Sequence, residues 1–186
     1  MFKVLFSPSA TMFLLALPFA VFAQDSTRRP PPDSATLDTM FRGPHYRFTG
    51  TEDPALLAEI FRQTFKLGKK DAGGLAKPAV ICLGVGRDSV VDADRSVLIV
   101  MAQHEPPVRG NSACLVTMNE DFAVTEKATG QRAWRLRISA LITLKDSIVA
   151  YSDFYVGPLF AAGWACTVSR SSAGWAIKHC TMRWIS

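Results

Sequence analysis

Trp134-Arg-Leu-Arg-Ile-Ser-Ala-Leu-Ile-Thr-Leu144 is the stretch that decides the fold. Trp134, Leu136, Ile138, Ala140, Ile142 and Leu144 alternate with Arg135, Arg137, Ser139 and Thr143, a period of two that gives a long strand one apolar face. Lys145-Asp146 follows as the turn, and residues 148–156 make the return strand. Gly157-Pro158 interrupts the chain. Residues 163–170 then form a third strand and, after Ser171-Ser-Ala-Gly174, residues 175–185 a fourth.

Upstream, the first helix is marked by Asp53 as N-cap, Pro54 at the first helical position, and Leu56, Leu57, Ile60, Phe61 and Phe65 on one stripe. Gly68 is expected to stop it. Residues 78–86 carry Val80, Ile81, Leu83 and Val85 and read as a short strand. Residues 94–104 are open to two readings. The run Val97-Leu-Ile-Val-Met101 favours a strand, whereas Asp92, Asp94 and the closing Pro106-Pro107 suit a helix. The expected fold class is α+β, with one or two N-terminal helices packed on a curved four- to five-stranded antiparallel meander.

The chain has 186 residues, of which 48% are hydrophobic and 20% charged, a globular composition. It reads as three parts. Residues 1–23 have the form of a signal peptide cut after Ala23, with Lys3 before an apolar run. Residues 24–50, with Pro30-Pro-Pro32, read as a disordered Pro-rich tether, whose end Met40, Phe41, Tyr46 and Phe48 tack onto the domain. Residues 51–186 form a single α+β domain. The expected location is therefore periplasmic or extracellular, without a stable membrane anchor. The formal net charge of +5 is mild, and Arg28, Arg42, Arg62, Arg95, Arg132 and Arg183 are scattered through the chain, so nucleic acid is not an expected partner.

Several runs carry a resemblance to a known group: Val80-Ile-Cys-Leu-Gly-Val-Gly86, Pro106-Pro-Val-Arg109 leading to Ser112-Ala-Cys114, Lys127-Ala-Thr-Gly130, Gly174-Trp175 and the closing Trp184-Ile-Ser186. Over residues 53–186 the chain resembles a family of uncharacterised secreted bacterial proteins. Its helix-then-meander layout is similar to the nuclear-transport-factor-2-like (NTF2-like) or cystatin-like cone. The resemblance implies secretion and fold, and it assigns no catalytic residue.

Four cysteines in an exported chain allow three connectivities. If Ser172, Ala173 and Gly174 form the hairpin loop, Ser171 faces Trp175 and Cys166 falls opposite Cys180. The favoured disulfides are then Cys166 to Cys180 and Cys82 to Cys114. The competing reading is a metal site of Cys166, His179 and Cys180, but successive strand residues such as His179 and Cys180 point to opposite faces. No metal and no cofactor are expected.

Searches for catalytic motifs mostly fail. His104-Glu105 lacks a second histidine at helical spacing, Gly84-Val-Gly86 lacks the third glycine of a dinucleotide loop, and no Gly-x-Ser-x-Gly elbow occurs. One constellation survives. A two-residue turn at Lys145-Asp146 pairs Ile138 with Asp153 and sets Asp153 between Tyr151 and Tyr155 on the apolar face, where desolvation would make it a general base with a tyrosine as donor. A one-residue change of register turns Asp153 instead toward Arg137, as an ordinary ion pair in solvent.

These readings converge on an exported small binding or interaction module, its partner a small molecule or another exported protein. One alternative is a cone-pocket enzyme of isomerase or hydrolase type using Asp153. A second is a cystatin-like inhibitor of an exported hydrolase. The discriminating feature is whether the sheet encloses an open pocket or is filled by Leu57, Phe61 and Phe65.

Overall fold

A computed structural model describes residues 46–72, 77–117, 124–157 and 160–186. The expected signal peptide and the tether up to residue 45 lie outside the described residues.

Helix α1 (Pro54–Asp71) starts where Asp53 accepts a 2.9 Å hydrogen bond from the Ala55 amide. Its buried stripe includes Leu56, Leu57, Ile60 and Phe61, and Lys69 and Lys70 in the last turn offset the negative end of the helix dipole. Gly68 does not stop it, contrary to the sequence expectation. The helix continues to Asp71, and Gly68 lies where a Cβ would come within 2.9 Å of Phe154 Cγ. That glycine serves close approach of helix to sheet.

Strand β1 (Val80–Val85) is buried throughout. One edge pairs in parallel with β6 (Ala133–Thr143); the other is shared by β2 (Val91–Asp92), antiparallel, and β3 (Val108–Gly110), parallel. Strands β7 (Ile148–Gly157), β8 (Phe160–Ser171) and β9 (Gly174–Ile185) extend the sheet antiparallel from β6, so that the seven-stranded sheet runs β2-β1-β6-β7-β8-β9 with β3 beside β1. The fold is α+β, but the sheet is mixed and larger than a four- to five-stranded antiparallel meander. An apolar run buried on both faces is the signature of a central parallel strand, which is the place β1 takes.

Residues 94–104 begin as helix α2 (Arg95–Val100), capped by Asp94 on the Ser96 amide at 2.8 Å. Burial of Val97 and Met101 outweighs the β propensity of the run. A turn at Asn111–Ala113 leads into a separate two-stranded ribbon of β4 (Cys114–Val116) and β5 (Val124–Glu126).

The main core lies between α1 and one face of the sheet. Leu57 and Phe61 join Trp134, Phe154 and Trp164 there, with Phe65, Tyr46 and Phe48 packed at its margin. The ring centroids of Phe65 and Trp134 lie 5.6 Å apart, those of Trp134 and Phe154 5.7 Å, and those of Phe154 and Trp164 5.7 Å. Thr64, buried in the same layer, donates to Ser152 Oγ at 2.8 Å. A smaller cluster of Val80, Cys82, Val124 and Ala133 forms apart from this core, with Cys114, Val116 and Tyr155 packed on it.

The disulfides are Cys82–Cys114 and Cys166–Cys180, the pairs the hairpin count favoured. The hairpin itself is different. Its loop is shorter by one residue, with Ser171 opposite Gly174 and Arg170 opposite Trp175, and Gly174 takes a φ of 113° that suits only glycine. A bulge beyond Val168, which leaves Lys178 extra on β9, then restores Cys166 opposite Cys180. Two disulfides fit a non-reducing, exported environment. Among the described residues no helix is long and apolar enough to cross a membrane.

Candidate functional site

The β6–β7 hairpin begins as its sequence predicts, with Thr143 opposite Ile148 and Ala140 opposite Tyr151. At Ser139 one residue of β6 is extruded, and from there Ile138 faces Ser152, Arg137 faces Asp153 and Arg135 faces Tyr155. A single bulge therefore selects the second of the two registers, with Arg137 rather than Ile138 opposite Asp153. Side chains alternate along β7, and Ser152 and Phe154 point toward α1, so Tyr151, Asp153 and Tyr155 share the opposite, outer face. The structure brings the three predicted site residues onto one face, and it is not the apolar face on α1.

On that face Arg137 grips Asp153. Its Nε and Nη2 both lie 2.8 Å from Asp153 Oδ2, and its Nη1 donates to the Arg87 carbonyl at 3.2 Å. The pair is not in solvent as the second register implied, since Asp153 is only 7% exposed. Burial pushes the Asp153 carboxyl above the ordinary carboxylate range, against the opposing pull of Arg137 and, further off, Arg135.

Beside the pair is a recess bordered by Ser139, Tyr151, Asp153, Gly163, Arg183 and Trp184, with a volume of about 10 Å³. That is room for about one water molecule. The Trp184 indole closes it by lying across Gly163, where any Cβ would collide with the ring. A general base needs a substrate atom within hydrogen-bond reach of a free lone pair. Here one carboxylate oxygen is held by two guanidinium donors and the recess admits nothing larger than water.

One register row away, Arg135 lies between Cys82 and Tyr155 on the same outer face. Its guanidinium sits over the Tyr155 ring, 5.3 Å from the centroid, and among the described residues no carboxylate pairs with it. Burial first, and then the like charge of Arg137, pull Arg135 below the usual arginine range. Arg109, at the end of that row, is paired with Glu126 at 3.3 Å.

The metal alternative fails, because Cys166 and Cys180 are bonded to each other and His179 Nε2 lies 3.0 Å from Thr181 Oγ1. Among the described residues no cluster of ligating side chains could hold a metal ion. His104 Nδ1 is 3.0 Å from the Pro106 carbonyl and its ring stands edge-on to Phe65, a structural role. Sequence reasoning missed Arg135, Arg183 and Trp184 as neighbours of the site. The Arg135-Leu-Arg137 alternation was the visible signal, since it places two guanidinium groups on one face. No family model, curated protein or solved structure matches the chain.

Proposed function

We propose that the chain is an exported binding module that acts through the outer face of its sheet and carries out no chemistry of its own. The observation that supports this best is the filling of the helix side of the sheet by Leu57 and Phe61 against Trp134, Phe154 and Trp164. A cone-type enzyme would keep that side open. The outer face, by contrast, presents half-buried Arg135, Tyr151, Tyr155 and Trp184 beside exposed Arg183. Aromatic rings and arginines of this exposure are the side chains that dominate binding energy in interfaces.

Export is supported by the apolar N-terminal run and by the two disulfides. A helix laid on four consecutive antiparallel strands supports the cystatin-like part of the resemblance, from which the parallel pairing of β1 is a departure. The test of the enzyme alternative is a panel of ester and enolisable ketone substrates offered to wild type and Asp153→Asn. The expected result is no turnover with either. Turnover by wild type that Asp153→Asn abolishes, with the variant still folded, contradicts the reading.

A further inference from the structure

We propose that Arg135 is an anion-binding residue, and that the group it takes is a planar or tetrahedral oxyanion, a carboxylate or a phosphate. The proposal rests on the outer face being the binding surface and names the chemistry of its ligand. On this face Arg137 is paired with Asp153 and Arg109 with Glu126, whereas among the described residues Arg135 has no ion-pair partner and lies over the Tyr155 ring. Among the described residues this row therefore carries one more cation than carboxylate, and Arg183 adds a further cation beyond Asp153.

Position makes that charge usable. Arg135 is half-buried on a central strand, flanked in register by Cys82 and Tyr155 and bordered by the cluster of Val80, Cys82 and Ala133. Apolar walls reduce the competition of water for a guanidinium, so an added oxyanion gains more there than at an exposed lysine. The guanidinium makes a cation–π contact with the Tyr155 ring, with Cζ 5.3 Å from the ring centroid. Among the described residues no acceptor is bonded to its N–H donors, the fork through which arginine binds carboxylate and phosphate by two parallel hydrogen bonds.

The test follows the backbone amide resonances of Cys82 and Tyr155, the register neighbours of Arg135, in the oxidised protein by NMR while inorganic phosphate, and separately acetate, is added at constant ionic strength. The expected result is a saturating shift of these two amides with at least one of the two probes, abolished in Arg135→Gln and retained in Arg183→Gln. Arg135→Lys keeps the charge without the fork, and its expected affinity is about tenfold lower. Saturation with acetate alone identifies a carboxylate ligand, and saturation with phosphate alone a phosphate. The amide spectrum of each variant reports folding, and Arg135→Lys serves where Arg135→Gln fails to fold. Shifts that stay linear with both probes, or an affinity unchanged in Arg135→Gln and Arg135→Lys, overturn the assignment. Loss of anion binding at Arg135 alongside partner cross-linking at Tyr151 would reject the ligand class while leaving the surface reading in place.

Discussion

Arg137 and Asp153 face each other across β6 and β7 because Ser139 is extruded from the ladder between them and the hairpin turn. Without that bulge Asp153 would stand opposite Ile138.

The first prediction concerns which half of this pair the fold needs. Arg137→Met leaves the buried Asp153 carboxylate without its hydrogen-bonded counter-charge and is expected to cost about 3 kcal/mol at pH 7. Asp153→Asn is expected to cost less, because burial already favours the uncharged form of that side chain. The pH dependence carries the same sign. A carboxyl whose folded value is raised contributes stability that is complete below the unfolded value, about 3.9, and is lost as pH rises through the folded value. Urea titrations from pH 3 to 8 should therefore show the Arg137→Met deficit shrinking toward acid. A deficit independent of pH would contradict the account.

Asp53 gives the opposite sign. Trp175 Nε1 donates to its Oδ2 at 2.7 Å while the Ala55 amide bonds its Oδ1, and the Trp175 hydrogen bond is the main cause holding the carboxyl below its usual range. The stability it contributes is present above the unfolded value and disappears as pH falls through the folded one. Asp53→Ala is expected to cost about 1 to 2 kcal/mol at neutral pH, and Trp175→Phe about 1 kcal/mol. Equal effects of Asp53→Ala at pH 7 and pH 2 would show that the ionised cap is not what joins helix to strand.

Gly68 separates a helix stop from a packing site. Alanine is the better helix former by about 1 kcal/mol, so Gly68→Ala in an unhindered helix should stabilise. Because a Cβ there would lie 2.9 Å from Phe154 Cγ, the substitution is expected to destabilise, by about 1 to 2 kcal/mol. A raised melting temperature in Gly68→Ala would contradict the close packing of α1 on β7.

Much of the fold was legible where periodicity is strong, and the misses trace to single residues. The stripe of Leu56, Leu57, Ile60 and Phe61 and the alternation from Trp134 announced the helix and the strand they form. Bulges left no such trace. Lys178 on β9 compensated a loop counted one residue too long, so the Cys166–Cys180 pair came out right. Ser139 on β6 decides between the two registers the sequence leaves open for Asp153, and nothing in the local pattern marks its extrusion. The parallel partnership of β1 with β6 was hidden too, because contacts distant in sequence leave no local pattern. Arg135 and Arg137 were visible as alternating charges, but which one would be neutralised depended on the bulge.

The disulfides supply a fourth prediction. Closing a loop with a sequence separation of 32, the Cys82–Cys114 bond is expected to contribute about 4 kcal/mol, and Cys166–Cys180, with a separation of 14, about 3 kcal/mol. A non-reducing peptide map should contain both linkages in exported material, and the Cys82→Ala/Cys114→Ala double variant should unfold at lower urea. Free thiols in such material would contradict both the pairing and the compartment.

The most direct measurement of the central claim is site-specific photo-cross-linking in the intact cell envelope. A photoreactive phenylalanine derivative at Tyr151 samples the outer face, and the same group at Lys66 samples the exposed side of α1. The account predicts a discrete adduct from Tyr151 and none from Lys66. Adducts from Lys66 with none from Tyr151 would place the working surface on the helix side and contradict it.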